Sequence, residues 1–206
     1  MVVGVSSAIA ANKKKIAAIQ SMGFGAVLEL KCKQLPRDFM PLLLERFDPD
    51  QLTLQVAGSD PIVVTEADVG IVLGVPSIGH QVPRQVDKEK LQQLHSQIQS
   101  ATLKGLHDVV IDTVAASNFK PTFLLLLLGC FLCPTTKDVA SPRLMPAISV
   151  ASSAKNYNWA QFILEWLATE VRKYKRTKGR GVSCGGCLFF LMVCPRLKLQ
   201  KYLTNF

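Results

Sequence analysis

The sequence predicts a mainly α fold: a single compact multi-helix domain with one small β-hairpin at the edge. Three observations lead there. Apolar residues recur at helical spacing, most clearly where Trp159, Phe162, Ile163, Trp166, Leu167 and Val171 make a wide stripe over Trp159 to Tyr174. Strict alternation is confined to Leu52, Leu54 and Val56, with turn residues over Ala57 to Pro61 before Ile62 to Val64 resumes the apolar pattern. The chain has 206 residues, 49% of them hydrophobic and 19% charged. That is enough apolar material for a sizeable core, argues against extensive disorder, and is short enough for one domain. The domain is expected to span 13–194, with 1–12 and 195–206 as poorly defined termini.

Lys13 to Met22 reads as a short helix with Ile16, Ile19 and Met22 on one side, ended by Gly23. A Gly-Phe-Gly corner leads into Ala26 to Lys31. Leu35 to Phe47 places Phe39, Leu42, Leu43 and Phe47 at helical spacing, with Pro36 in its first turn and Asp48-Pro49 as its stop. The Leu52 to Val64 hairpin follows. Thr65 then suits an N-cap, Glu66 and Asp68 suit the positive end of a helix dipole, and Gly74 with Pro76 ends this helix.

Pro76 to Pro83 is expected as a loop. Asp87 to Leu103 is expected as a helix with Leu91, Leu94 and Ile98 inward, and Leu106 to Ala116 as another. Phe123 to Cys133 is the most apolar window and Cys187 to Cys194 the second. Both are well short of the roughly 20 apolar residues that span a bilayer, so they are core segments and no membrane is involved. Pro134 to Pro146 is an irregular connection. In the helix from Trp159, Asn158 is the cap, with Gln161 three residues later. The helices from Trp159 and Phe123 are expected to pack together as the core.

The formal charge is +9, from 24 Lys+Arg against 15 Asp+Glu. Such an excess draws a chain towards nucleic acid, anionic lipid or an acidic protein surface. Lys13 to Lys15 follow a weak apolar stretch, the reverse of a secretory signal, which implies a reducing compartment and free thiols for the six cysteines.

Several stretches together resemble the plant mobile-domain family. They are Ser21 to Gly25 (SMGFG), Lys31 to Pro36 (KCKQLP), Phe47 to Asp50 (FDPD), Ile62 to Pro76 (IVVTEADVGIVLGVP), Leu132 to Lys137 (LCPTTK), Asn156 to Trp159 with Phe162 and Trp166, and Gly185 to Leu188 (GGCL). Their order and spacing cover residues 15 to 194. The resemblance implies a helical, transposon-derived domain, often joined to a ubiquitin-like-protein cysteine protease, with nuclear relatives that act through protein partners. The family's "aminotransferase-like" label is set aside: neither the length nor a Schiff-base lysine in a phosphate pocket fits pyridoxal phosphate. The chain ends at Phe206 without a protease half, so protease activity does not carry over.

Three further motifs bear on chemistry. His80, His95 and His107 are the histidines available to a cysteine nucleophile, and no catalytic signature surrounds any cysteine. Cys130 with Cys133 and Cys184 with Cys187 make two Cys-x-x-Cys pairs, formally a zinc pattern, but widely separated and half inside the most apolar helix. Gly179 to Gly186 lacks the Gly-Lys-Ser/Thr ending of a phosphate loop. The expectation is therefore no catalytic residue, no metal site and no cofactor.

Arg172, Lys173, Lys175, Arg176, Lys178 and Arg180 put six basic residues in nine. They form a candidate nucleic-acid contact or nuclear import signal, strengthened if Lys13 to Lys15 are exposed, against the plainer reading of a solvated helix end. The expected function is a non-catalytic, transposon-derived nuclear interaction module that binds protein partners, with nucleic acid as a second partner class. The alternatives are an accessory segment of a ubiquitin-like-protein cysteine protease lacking its catalytic half, or a product with no selected function.

Overall fold

Helices supply nearly all the regular structure of the computed structural model, which describes residues 2–31, 40–56, 58, 60–98, 100–112, 118–177 and 184–195. The chain opens on α1 (Val2–Ile9), whose Val5 and Ile9 are buried, and α1 lies against a later helix, α6 (Leu103–Asp112), and the 3-10 turn Gly25–Glu29. The segment 1–12, expected to stand outside the domain, thus contributes to the core. Asn12 caps α2 (Lys13–Ser21) by accepting from the Lys15 backbone N–H at 3.1 Å. Gly23 ends it at φ 87°, as expected. Phe24, in the corner that follows, sets its ring against Trp159 at 5.5 Å.

Of the expected Leu35 to Phe47 helix, the part before Met40 lies outside the described residues, and α3 covers Met40–Arg46. Phe47 does not continue it. Phe47–Asp48 form β1, paired antiparallel with β2 (Thr53–Leu54) in the register Phe47 opposite Leu54. β2 pairs antiparallel with β3 (Ile62–Val63), Leu54 opposite Ile62. The expected hairpin is therefore the second half of a three-stranded meander, β1-β2-β3. The cause is local: Asp48 Oδ1 accepts from the backbone N–H groups of Asp50 and Gln51 at 2.8 and 3.0 Å, and this Asx turn reverses the chain.

α4 (Glu66–Leu73) begins in a complete capping box. Thr65 Oγ1 accepts from Asp68 N at 3.3 Å, and Asp68 Oδ2 accepts from Thr65 N at 2.8 Å. α5 (Lys88–Gln97) is shorter than the expected Asp87 to Leu103, because Ile98 has extended backbone. α6 starts earlier than expected, its first residue tied by Leu103 N to Asp138 O. α7 (Phe119–Leu127) runs into a π turn (Leu128–Leu132), so the apolar window is not one uniform helix. After the irregular stretch come a 3-10 turn (Pro142–Leu144), α8 (Met145–Ile148) and a 3-10 segment (Ala151–Asn156). Then α9 (Trp159–Arg176) and α10 (188–195) follow, the last helices among the described residues.

α9 is the central helix. Its expected stripe is buried, and Leu164, Ala168 and Glu170 are buried as well. α9 and α7 contribute to one hydrophobic cluster. Their most extensive contacts are with other elements: α9 runs along α4, and α7 along α6, with α8 and the 3-10 segment beside it. The reason is that α7 is buried from Thr122 to Leu127, all round, and so has no single face to reserve for one partner. α9 is drawn to α4 by Asn158, which accepts from Gln161 N at 3.0 Å and donates to Glu66 Oε2 at 2.8 Å. No helix among the described residues is long and apolar enough to cross a membrane.

Candidate interaction surfaces

The basic end of α9 is held largely by its own fold. Arg172 Nε donates to Asp50 Oδ1 at 2.5 Å and its guanidinium also reaches the Pro49 carbonyl at 2.7 Å. Lys175 Nζ donates to the Glu45 carbonyl at 3.2 Å, and Lys173 Nζ pairs with Glu170 at 2.6 Å. Asp48, Pro49, Asp50, Arg172, Lys175 and Arg176 line an open cleft here, with Arg176 exposed to solvent. Asp48 is held below the usual carboxylate range by the Gln51 and Asp50 N–H groups, with Lys175 and Arg172 adding to the effect. Arg172 and Lys175 therefore tie α9 to the turn after β1 and to α3, while Lys178 and Arg180 lie outside the described residues. Lys15 is not available as part of an import signal: it is 3% exposed and donates to the Val110 and Ile111 carbonyls at 2.8 and 2.7 Å.

The two Cys-x-x-Cys pairs meet in space. Gly186 N donates to Pro134 O at 2.8 Å, and Gly185 stands against the Pro134 carbonyl and the Glu170 carboxylate. Cys133 and Cys187 are buried, and Cys130 and Cys184 are half-buried. Desolvation pushes Cys130, Cys184 and Cys187 up to about 12, with Glu170 adding to the effect at Cys184. Cys133 is raised in the same direction, by burial first and by Cys187 second. Burial thus favours the protonated thiol over the thiolate, the form that acts as a nucleophile. Among the described residues no three of His, Cys, Asp or Glu converge where an ion could sit. His80 stands in a loop with its ring 5.7 Å from that of Tyr157, His95 is exposed on α5, and His107 on α6 faces Asp108 at 3.1 Å.

One surface has no counterpart among the sequence expectations. The loop after α4, expected only as a connection, is clamped along its length. His80 N donates to Asn156 O at 2.9 Å, Asn158 N to His80 O at 2.8 Å and Ala160 N to Pro76 O at 3.0 Å. Gly79, at φ 128°, packs so closely on the Asn156 carbonyl that a Cβ would overlap it. This frame holds Ile78 85% exposed. Ser77 seats against Gly70 of α4, and Ile71, the next residue of that helix, is 61% exposed. Val63 on β3, shortly before α4, is 57% exposed. The signal is present in part, since Ile71 falls off the Val69 and Leu73 face; nothing local marks Ile78.

No curated protein and no solved structure matches the chain. A family model described as a domain of unknown function, DUF8566, matches residues 2–192. With nearly its whole length matched from α1 to α10, the chain belongs to the DUF8566 family.

Proposed function

We propose that this chain is a non-catalytic interaction module, of transposon-derived and nuclear character, that works by binding protein partners. The observation that carries the reading is Ile78. Backbone bonds at His80 and close packing at Gly79 hold this aliphatic side chain out in water, which leaves apolar surface that a partner protein could cover. The resemblance to the plant mobile-domain family supports the nuclear and transposon-derived parts, through motifs such as SMGFG, FDPD and LCPTTK. Buried, protonated thiols support the non-catalytic part.

The test is quantitative affinity purification of the tagged full chain from nuclei, comparing wild type with Ile78→Ser. A discrete set of proteins enriched by wild type and depleted from the variant is expected. No enrichment, or the same set in both, overturns the reading. The second partner class is nucleic acid, favoured by the exposure of Arg176 beside the open cleft. Replacing Arg176, Lys178 and Arg180 by Gln leaves the Arg172 and Lys175 contacts in place. Wild type is expected to bind duplex DNA weakly with a steep salt dependence that the triple variant loses. Identical binding by both removes nucleic acid from the reading.

A further inference from the structure

α10 has no polar side. Leu188 to Cys194 are all hydrophobic, and no residue from Cys184 to Pro195 carries a charge. A helix apolar all round belongs in an interior, and α7 meets that condition, buried from Thr122 to Leu127. α10 meets it on one side, where Phe190, Leu191 and Cys194 are buried, with Cys187 just before them. Leu188, Phe189, Met192 and Val193 are half-buried, and their helical spacing puts them together on the other side. Phe131 of the π turn, also half-buried, extends this side, its ring 5.7 Å from that of Phe189. The strip offers a partner no charge to pair with, so its cover has to be apolar.

The sequence that comes next carries a matching strip. Residues 196–206 follow α10 directly and lie outside the described residues. Leu199, Tyr202, Leu203 and Phe206 recur there at i, i+3, i+4 and i+7, while Lys198, Gln200, Lys201 and Asn205 fall off that stripe. Pro195 has no N–H with which to extend the ladder of α10, and Arg196 to Lys198 is a link of the length that joins antiparallel helices. A helix over 199–206 is about 12 Å long, the same as α10.

We propose that residues 196–206 fold back on α10 as an amphipathic helix, laying Leu199, Tyr202, Leu203 and Phe206 over the side that carries Phe189 and Met192. A helix this short is marginal alone, and the apolar strip supplies the packing that holds it. The occupant is the chain's own segment rather than a second copy or a free partner because of the link. A tether of a few residues gives an effective concentration on the order of millimolar, which any competitor of the same chemistry has to exceed. The match to the family model stops at residue 192, so the cover is an addition to the matched domain. It does not involve Ile78 and stands apart from the interaction-module reading.

The test uses the full chain with isotope-labelled methyl groups. NOEs from Leu199 and Leu203 to Met192 and Val193 are expected, and in a mixture of labelled and unlabelled chains they should arise within one molecule. Leu203→Asp should abolish them and make the amides of residues 191–194 exchange at least about tenfold faster. Lys201→Asp, off the stripe, should change neither. If the aspartate variant at 203 fails to fold, Leu203→Ala carries the same comparison. Absence of the NOEs in wild type, NOEs that cross between molecules, or α10 exchange that substitution of Leu203 leaves unchanged overturns the proposal. An equal effect of Lys201→Asp overturns it as well, since the loss would then follow from charge and not from the apolar contact.

Discussion

Lys15 is the residue whose role departs furthest from its type. Its neighbours Lys13 and Lys14 are exposed, yet Lys15 turns inward, lays its ammonium 5.7 Å from the Phe119 ring and satisfies two carbonyls in the last turn of α6. A helix C-terminus gathers negative partial charge, so a cation there completes the end of α6. Replacing Lys15 by Met keeps the stem and removes the donor, leaving two buried carbonyls to find water; a loss of about 1–3 kcal/mol is expected in urea unfolding. The pH dependence has a definite sign. Desolvation lowers the Lys15 pKa below 10.5, and Asp112 only partly restores it. The folded chain therefore holds this proton less tightly than the unfolded chain. The stability of wild type relative to Lys15→Met should rise as pH climbs from the lowered value towards 10.5. A flat or falling difference would mean that the two carbonyls and the end of α6 hold the ammonium at least as well as water does, so that desolvation does not dominate. The cysteines offer a simpler check at this scale: iodoacetamide at mildly alkaline pH should label Cys133 and Cys187 only after denaturation, and mass spectrometry of native protein should leave both unmodified.

At the scale of elements, the parts legible in the sequence are those decided within a few residues. Thr65 and Asn158 each form the cap that the sequence implies, while Asp87, expected as the first residue of its helix, caps α5 instead. Thr65→Ala should accordingly cost about 1 kcal/mol, measured by thermal melting, with the loss concentrated in α4 amides by hydrogen exchange. What local pattern does not decide is where one element hands over to the next. Phe47 has helical spacing with Leu43, and it still becomes a strand because the Asp48 turn and Leu54 across the sheet claim its backbone. The basic run after Val171 resembles a free binding surface for the same reason. Sequence displays six cations; only the tertiary fold places Asp50 and the Glu45 and Pro49 carbonyls against Arg172 and Lys175. Since Arg172 and Asp50 are largely exposed, the pair is screened, and Arg172→Ala should lower stability by no more than about 1 kcal/mol, less at high salt. Gly79→Ala should act differently, displacing the Asn156 carbonyl and freeing Ile78, with lost amide protection at His80 and Asn158 as the readout.

For the molecule as a whole, the mainly α character follows from composition and periodicity, whereas the assembly of the core does not. The broad apolar surfaces of α7 and α9 are each compatible with many neighbours, and the choice falls to particulars such as the Asn158 to Glu66 bond and the close seat of Gly74 on Ala26. The N-terminal dozen residues show the difficulty best. Val2 to Ile9 is short, weakly patterned and soon followed by three lysines, so nothing in it marks a core element. Burial of Val5 and Ile9 against α6 and the Gly25–Glu29 turn makes it one. Fully burying each aliphatic side chain is worth about 1.5–3 kcal/mol, so deleting residues 1–12 forfeits up to about 3–6 kcal/mol, before any relaxation of the remainder. A domain of this size has a net stability of only about 5–15 kcal/mol. The shortened chain should therefore show a urea midpoint far below that of the full chain, and Val5→Ala with Ile9→Ala should reproduce much of the shift without shortening it. If the truncation leaves the midpoint unchanged, α1 is not part of the stabilising core and the domain begins, as its sequence first suggests, at Lys13.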